Sequence, residues 1–264
     1  MAMIGIKRYM TGEGHAAPMR VLRYKTLYCT EGNARVLVDE KLYQLSEQEL
    51  LTITSGQYHQ VQAVAGELLA LDFTLDYFCK NDHDIELIFH NGLFCHFGMT
   101  EVITMGNVAY VNQLFSQLER ELEERPYQYL LSAHALVELL LVEINRHKIA
   151  SGAEIWKPDA LFLRFLEAVR DNYPNSLTVA DFALLLGTSE SKLNELARLH
   201  TDKTAQHVIY SLTISEAKRL LHYEKLTIKD IAYRLGFNDP FYFSNFFKKH
   251  TALSPKAYKK MMLA

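Results

Sequence analysis

The chain reads as an α+β protein of two domains: an N-terminal β-barrel or sandwich followed by two helices, then an all-α domain with two helix-turn-helix units. Three observations carry that reading. The chain has 264 residues, more than the ~100–150 typical of a single core. Its apolar pattern alternates with period two between Val21 and Val102, then changes to the 3–4 spacing of helices. Its net charge of −3 is unevenly divided: residues 1–158 hold 13 basic against 20 acidic side chains, leaving a balance of +4 for residues 159–264. A basic module attached to an acidic one fits a nucleic-acid-binding part joined to something else.

Short alternating segments mark the strands, among them Lys25–Cys29, Ala34–Val38 and Leu50–Thr54. Turns are expected at Glu31-Gly32-Asn33, Ser55-Gly56 and Ala65-Gly66. Residues 1–20 read as a loose or docking arm. Two helices follow. One spans Asn107–Glu124, with Val108, Val111, Leu114, Phe115, Leu118 and Leu122 at helical spacing. The other, Tyr127–Lys148, is apolar over a surface too broad for one face packed on one barrel. Either that second helix is sandwiched between neighbours, or part of it meets a second copy in a homodimer. The segment 149–158, with a Gly and a Pro, then breaks the periodicity as an interdomain linker. The expected domains are therefore 1–148, 149–158 and 159–264.

Beyond Asp159 the pattern is helical almost to the end, and it repeats. Thr178 can cap a short helix closed by Gly187, and Ser189 can cap the next, Glu190–His200. After a long helix, Thr204–Tyr223, the layout recurs: Thr227 as cap, Gly236 as turn, Asn238 or Asp239 as cap, and Pro240 in the first turn of a helix to His250. The two turn glycines lie 49 positions apart. A helix, a glycine turn and a second helix that can lie in the major groove make a helix-turn-helix, here present twice.

The stretch Ile228-Lys-Asp-Ile-Ala-Tyr-Arg-Leu-Gly-Phe-Asn-Asp-Pro-Phe-Tyr-Phe-Ser-Asn-Phe-Phe-Lys-Lys-His-Thr-Ala-Leu-Ser-Pro-Lys-Ala-Tyr258 closely resembles the signature of the AraC/XylS family of transcription regulators. Ala217–Leu221 and Leu177–Gly187 resemble the same family. The likeness is close over the C-terminal domain and holds only in outline before it. In the second unit Ile231, Ala232, Leu235, Phe237, Phe243, Phe246 and Phe247 have core spacing. Pro240, Phe241, Ser244, Asn245 and Lys248 then fall on the open face, with Asp239 at its start and Lys249 at its end. Asn245 suits adenine N6 and N7, where relatives usually carry a basic residue. Phe241 either packs or touches a thymine methyl. The first unit departs further, with Glu195, Ala197, Arg198 and Leu199 in places where relatives usually carry Arg, Phe and two basic residues. It is expected to bind weakly, through Ser191, Lys192, Asn194 and Arg198. Asp202 and Ala252 stand where glycine is usual.

The resemblance implies a cupin-like barrel that binds a small effector, helices that dimerise, and RNA polymerase as partner if the protein is an activator. Arg20, Tyr24, Tyr28, Tyr58 and His59 are the candidate effector contacts. No catalytic residue, metal ligand or cofactor is expected: His59 lacks the second His and the Glu of a cupin metal site, and His15, His83, His90 and His96 fit no ligand pattern. No apolar run reaches the ~18 residues of a membrane span. Met1–Met10 resembles no secretory signal, and Cys29, Cys79 and Cys95 read as free thiols in a cytoplasmic protein. The leading reading is a regulator of DNA, more an activator than a repressor. The competing ones are the same regulator controlled by a protein partner, a cupin-type enzyme with a DNA-binding tail, and a non-specific architectural binder.

Overall fold

The N-terminal unit is framed by two long strands, β3 (Tyr24–Val38) and β6 (Tyr58–Phe73), paired antiparallel from Tyr24↔Phe73 to Val38↔His59. Residues 3–20, 22–89, 93–94, 102–152 and 158–262 are described by the computed structural model; His90, Cys95, His96 and positions 153–157 of the expected linker lie outside them. Two compact units result, Met1–Pro158 and Asp159–Ala264.

Strand β1 (Ile4–Met10) pairs with the far half of β6, and β2 (Met19–Arg20) with its near half. On β3 the near half takes β5 (Glu49–Ile53) and the far half β4 (Lys41–Ser46), while β7 (Val102–Thr104) adds to β5. The result is a seven-stranded antiparallel sheet of order β1-β6-β3-β5-β7. Of the two alternatives for this segment, residues 3–20 dock rather than hang loose. Ile4 and Tyr9 are buried, and Arg8 reaches Glu67 and, at 2.6 Å, Glu119. The Lys7-Arg8 pair hides this strand from a hydrophobicity reading, because an edge strand tolerates charge on its open side.

Two expected turns are also corrected. Glu31–Asn33 and Ala65-Gly66 do not reverse the chain; they face each other inside the β3–β6 ladder, Gly32 opposite Gly66. Both glycines have positive φ (+72° and +118°), and a Cβ on Gly32 would lie 1.9 Å from the Ala65 carbonyl oxygen. The register slips beside them, between Cys29 and Glu31. Glycine here bends two continuous strands at a bulge rather than ending them. Ser55-Gly56 is a true reversal, with the Gln57 amide donating to the Thr54 carbonyl at 3.1 Å. Leu27, Val36, Leu51, Val61 and Leu68 fill the interior of the sheet.

Helices α1 (Leu75–Phe78) and α2 (Asp82–Phe89) follow the sheet, and after β7 come α3 (Val108–Glu124) and α4 (Tyr129–Ala150). The α3–α4 turn holds Arg125 and Gln128 at positive φ around Pro126. Helix α3 buries Val111, Leu114, Phe115 and Leu118, and Phe115 stacks on Tyr28 at 5.3 Å. Helix α4 buries Leu136, Val137, Leu140, Leu141 and Ile144. Its outer face keeps Leu131, Ala135, Leu139 and Ile149 exposed, with Leu131 at 65%.

In the C-terminal unit each expected cap is present. Asp159 accepts from the Leu161 amide at 2.8 Å to start α5 (Ala160–Asp171), which a 3-10 turn, Tyr173–Asn175, ends. Thr178 with Asp181 forms a capping box on α6 (Val179–Leu185), and Ser189 caps α7 (Glu190–Thr201). Thr204 caps α8 (Ala205–Tyr223). Thr227 with Asp230 repeats the capping box on α9 (Ile228–Arg234), and Asp239, not Asn238, caps α10 (Pro240–Thr251) ahead of α11 (Pro255–Met262). The two helix-turn-helix units are α6–α7 and α9–α10, joined by α8.

The two turn glycines differ in what surrounds them. Gly187 (φ +64°) has nothing within 4 Å of where a Cβ would stand. A Cβ on Gly236 (φ +79°) would meet Ser176 Oγ at 2.4 Å, the Tyr173 carbonyl oxygen at 2.7 Å and that of Pro174 at 2.9 Å. The Ser176 hydroxyl donates to the Gly236 carbonyl across this contact. The second turn is therefore clipped to the first half of the domain, and only glycine fits the clip. Gly187→Ala should cost about 1 kcal/mol, the left-handed penalty alone. Gly236→Ala should cost about 3 kcal/mol or more, since backbone has to move as well. Ala252 sits at φ +64°, so Ala252→Gly should stabilise by about 0.5–1 kcal/mol. Urea unfolding of the C-terminal unit measures all three.

Candidate nucleic-acid interface

Helix α10 is held by its aromatic back. Phe243 and Phe247 are fully buried with Ile231, Ala232, Leu220 and Tyr258 around them, and Phe237 and Phe246 pack against this cluster. At helical spacing, two inward positions four apart leave the opposite face to Phe241, Asn245, Lys248 and Lys249, all exposed. Phe241 is 69% exposed and does not pack in the core. Asp239 fixes the first turn by accepting from the Phe241 amide at 2.9 Å. Pro240 fills the first helical position, and the Ser244 hydroxyl donates back to its carbonyl at 2.8 Å. Among the described residues, Asn245 makes no side-chain hydrogen bond, so its amide is free for a base edge. Tyr242, 73% exposed beside Phe241, went unnoticed in the sequence. The inward spacing of Phe243 and Phe247 was the signal that would have found it.

The corresponding helix of the first unit, α7, presents different chemistry. Ser191 and Arg198 are exposed, but Lys192 Nζ is spent on Glu195 Oε1 at 2.8 Å. Asn194 is a correction. Its amide nitrogen donates to the Glu190 carbonyl at 3.0 Å, and its Oδ1 accepts from the Ala205 amide at 3.1 Å. It ties α7 to the first turn of α8, an orientation set by the protein's own backbone rather than left open to a base. The sequence hid this because an Asn on the outer half of a helix looks the same whether it faces a groove or a neighbouring helix start. With two acids and two bases, α7 is electroneutral, whereas α10 holds Lys248 and Lys249 and no acid. Both lysines stand in its last turn, where the helix dipole favours cations.

The candidate effector contacts of the N-terminal unit do not converge. Successive residues of a strand face opposite sides. Tyr24 and Tyr28 lie on the outer side of β3, Tyr24 among Phe73, Phe89 and Phe94 and Tyr28 against Phe115. Tyr58 takes the Arg20 guanidinium over its ring at 5.7 Å. His59 faces the other way and meets Lys25 Nζ at 3.1 Å. Lys25 in turn lies 4.0 Å from Asp72, which Arg23 holds at 2.7 Å. His15 stacks edge-on against His59 at 5.8 Å and meets the Tyr9 hydroxyl at 2.8 Å. Around His59 there is thus a largely buried polar cluster of Lys25, Asp72, Arg23, His15 and Tyr9, which the sequence reading missed because its members come from three strands and two loop positions. Among the described residues, no group of three or more His, Cys, Asp or Glu is placed to hold a metal.

Burial, and then the Lys25 and His15 charges, push the His59 imidazole down to about 3. It is therefore neutral and accepts from the lysine. An unfolded histidine binds a proton near pH 6.5, so stability is intact above that and is lost as pH falls from about 6.5 toward 3. The slope from this residue reaches about 1.4 kcal/mol per pH unit. His59→Gln should flatten the fall in melting temperature between pH 6.5 and 4; an unchanged profile would place the acid sensitivity elsewhere.

Residues 182–261 match a family model described as a helix-turn-helix domain. The HTH-type transcriptional activator RhaR of Klebsiella pneumoniae subsp. pneumoniae is 30% identical over 154 residues, 58% of this chain and 55% of the relative. RhaS of Enterobacter sp. (strain 638), also an HTH-type transcriptional activator, is 29% identical over 162 residues, 60% and 56% of the two chains. The chain thus spans about half the length of these relatives. RhaR of Yersinia pestis bv. Antiqua matches at 23% over 238 residues, 88% of this chain and 80% of that one. Among solved structures, the C-terminal domain of AraT, a response regulator from Geobacillus stearothermophilus, aligns over 38% of this chain and 84% of its own (25% identity, TM-score 0.37). ToxT from Vibrio cholerae aligns over 98% and 94% (14% identity, TM-score 0.42).

Proposed function

We propose, from the membership of the C-terminal domain in the AraC/XylS helix-turn-helix family, that the chain is a sequence-specific transcription regulator, an activator whose DNA occupancy is set by a small effector at its N-terminal unit. The observation that carries this is the exposed face of α10, where Phe241, a free Asn245, Lys248 and Lys249 stand on a helix locked from behind by four phenylalanines. Asn245 reads adenine, Phe241 meets a thymine methyl, and the lysines bind phosphate. Asp239, Pro240 and Ser244 shape the helix start, and Ser191, Lys192 and Arg198 of α7 add backbone contacts only. The effector acts by population shift, favouring one placement of the units over another and so changing promoter occupancy or contact with RNA polymerase. The buried cluster about His59 is the polar part of the N-terminal cupin-like interior that such a ligand would meet. A protein partner in place of the small molecule is the second reading, favoured by the exposed apolar face of α4.

That face also supports a homodimer in the cytoplasm. Leu131, Ala135, Leu139 and Val142 recur at the 3–4 spacing of a coiled-coil seam, with Ile149 one heptad beyond Val142. Leu139→Glu should shift a sedimenting dimer to monomer with the melting temperature kept; a wild-type monomer at high concentration would remove the dimer.

Selection from a random duplex pool tests the reading directly. The wild type should return an asymmetric motif whose information lies in the major groove met by α10, with little preference in the neighbouring groove met by α7. Asn245→Ala should relax one position of it, losing about 1–3 kcal/mol of discrimination, whereas Arg198→Ala leaves the motif intact. Lys248→Ala should weaken all sequences alike and lower the salt slope by about one. Binding without a motif, with an unchanged steep salt slope, would favour the architectural reading.

A further inference from the structure

We propose that the DNA-binding unit carries a small-molecule site of its own: the cleft between its two helix-turn-helix units takes a planar aromatic carboxylate and so competes with DNA. The cleft encloses about 800 Å³, within the ~300–1,000 Å³ usual for small-molecule sites. Its floor is apolar, with Phe182 of α6 and Ile209 of α8 both buried. Its aromatic wall comes from Tyr210 on α8 and Phe246 and His250 on α10. Their ring centroids lie 5.3 Å (Tyr210–Phe246), 4.7 Å (Phe246–His250) and 5.2 Å (Tyr210–His250) apart. Tilted rings at these distances leave faces and edges to a flat aromatic guest.

Charge selects the rest of the ligand. Among the described residues no Asp or Glu lines the cleft, and Lys249 is its one fixed charge, standing at the rim beside the Asn245 amide. His250 is pushed below the usual histidine range by burial and by the Lys249 and His207 charges, so it adds a neutral hydrogen-bonding ring. One cation and one amide above an aromatic floor fit a monocarboxylate; a phosphate-rich ligand would find too few donors and too much apolar surface.

Competition follows from the helix geometry and rests on the reading of α10 given above. Tyr242, Phe246 and His250, four apart, lie along the side of α10 toward the cleft, and Phe241, Asn245 and Lys248 along the side toward DNA. Phe241, Asn245 and Lys249 belong to both the rim and the DNA face. A guest held by them removes them from a base or a phosphate, so the ligand works without any signal from the N-terminal unit.

The test uses the full chain with biphenyl-4-carboxylate as probe and biphenyl-4-methanol as neutral comparator, titrated calorimetrically. One site is expected, with the carboxylate favoured about tenfold, as one charge-assisted contact would give. Lys249→Gln should erase that preference. Gln206→Trp, which fills the cleft from α8 but brings no carboxylate to hold Asn245 and Lys249, should abolish probe binding and keep DNA binding. Fluorescence anisotropy on the selected duplex, or on mixed-sequence duplex if no motif emerges, should show the apparent Kd doubling when free probe equals its own Kd. The proposal is overturned if the probe does not bind, if Gln206→Trp leaves its binding unchanged, or if it binds and displaces no DNA. Failure of the protein to bind any duplex would sink the DNA reading instead, and the titration would still decide whether the cleft is a site.

Discussion

The spacing of the two helix-turn-helix units depends on a close backbone approach, the seat of Gly236 against Tyr173, Pro174 and Ser176. Helix α8 alone would join the units by a rigid rod with a free joint at its far end, where α9 begins. The clip closes that joint by binding the second turn to the segment that precedes α6. Tyr173 adds a second tie, its hydroxyl donating to the Leu212 carbonyl of α8 at 3.3 Å. Two reading helices meet successive grooves ~34 Å apart only if their separation is held, so a turn contact far from any base becomes part of the recognition device.

Within that frame the units share a scaffold and differ in surface. Both begin on a Thr–Asp capping box, both turn at a left-handed glycine, and both reading helices end in a left-handed residue, Asp202 and Ala252. Yet α7 spends its polar side chains internally, Lys192 on Glu195 and Asn194 on the start of α8, while α10 leaves Asn245 and two lysines outward. On the function proposed, the first unit positions and the second reads. A protein that binds mainly through one helix keeps an orientation on DNA and gives up part of its affinity, which leaves room for an effector to change occupancy.

The C-terminal domain was legible almost helix by helix, because Thr178, Ser189, Thr227, Asp239 and both glycines act within a few residues of where they stand. The N-terminal sheet was less so. Gly32 and Gly66 look like turns until each is seen to face the other across 34 residues of sequence, and β1 reads as an arm until β6 supplies its partner. Of the candidate sites, the α10 face followed from helical period alone. The proposed effector contacts did not hold together, since Tyr58 and His59 are neighbours in sequence and point to opposite faces, and Lys25 and Asp72 enter only through strand pairing. Asn194 was misplaced for the same reason: its partner, the Ala205 amide, lies on another helix.

The central claim is that α10 reads and α7 positions. Quantitative binding to duplexes with one half of the site scrambled at a time tests it most directly. Scrambling the half met by α10 should weaken binding by about a hundredfold or more, at about 1–3 kcal/mol per altered pair, while scrambling the half met by α7 should cost less than about tenfold. Equal losses from the two halves, or a larger loss from the α7 half, would contradict the account.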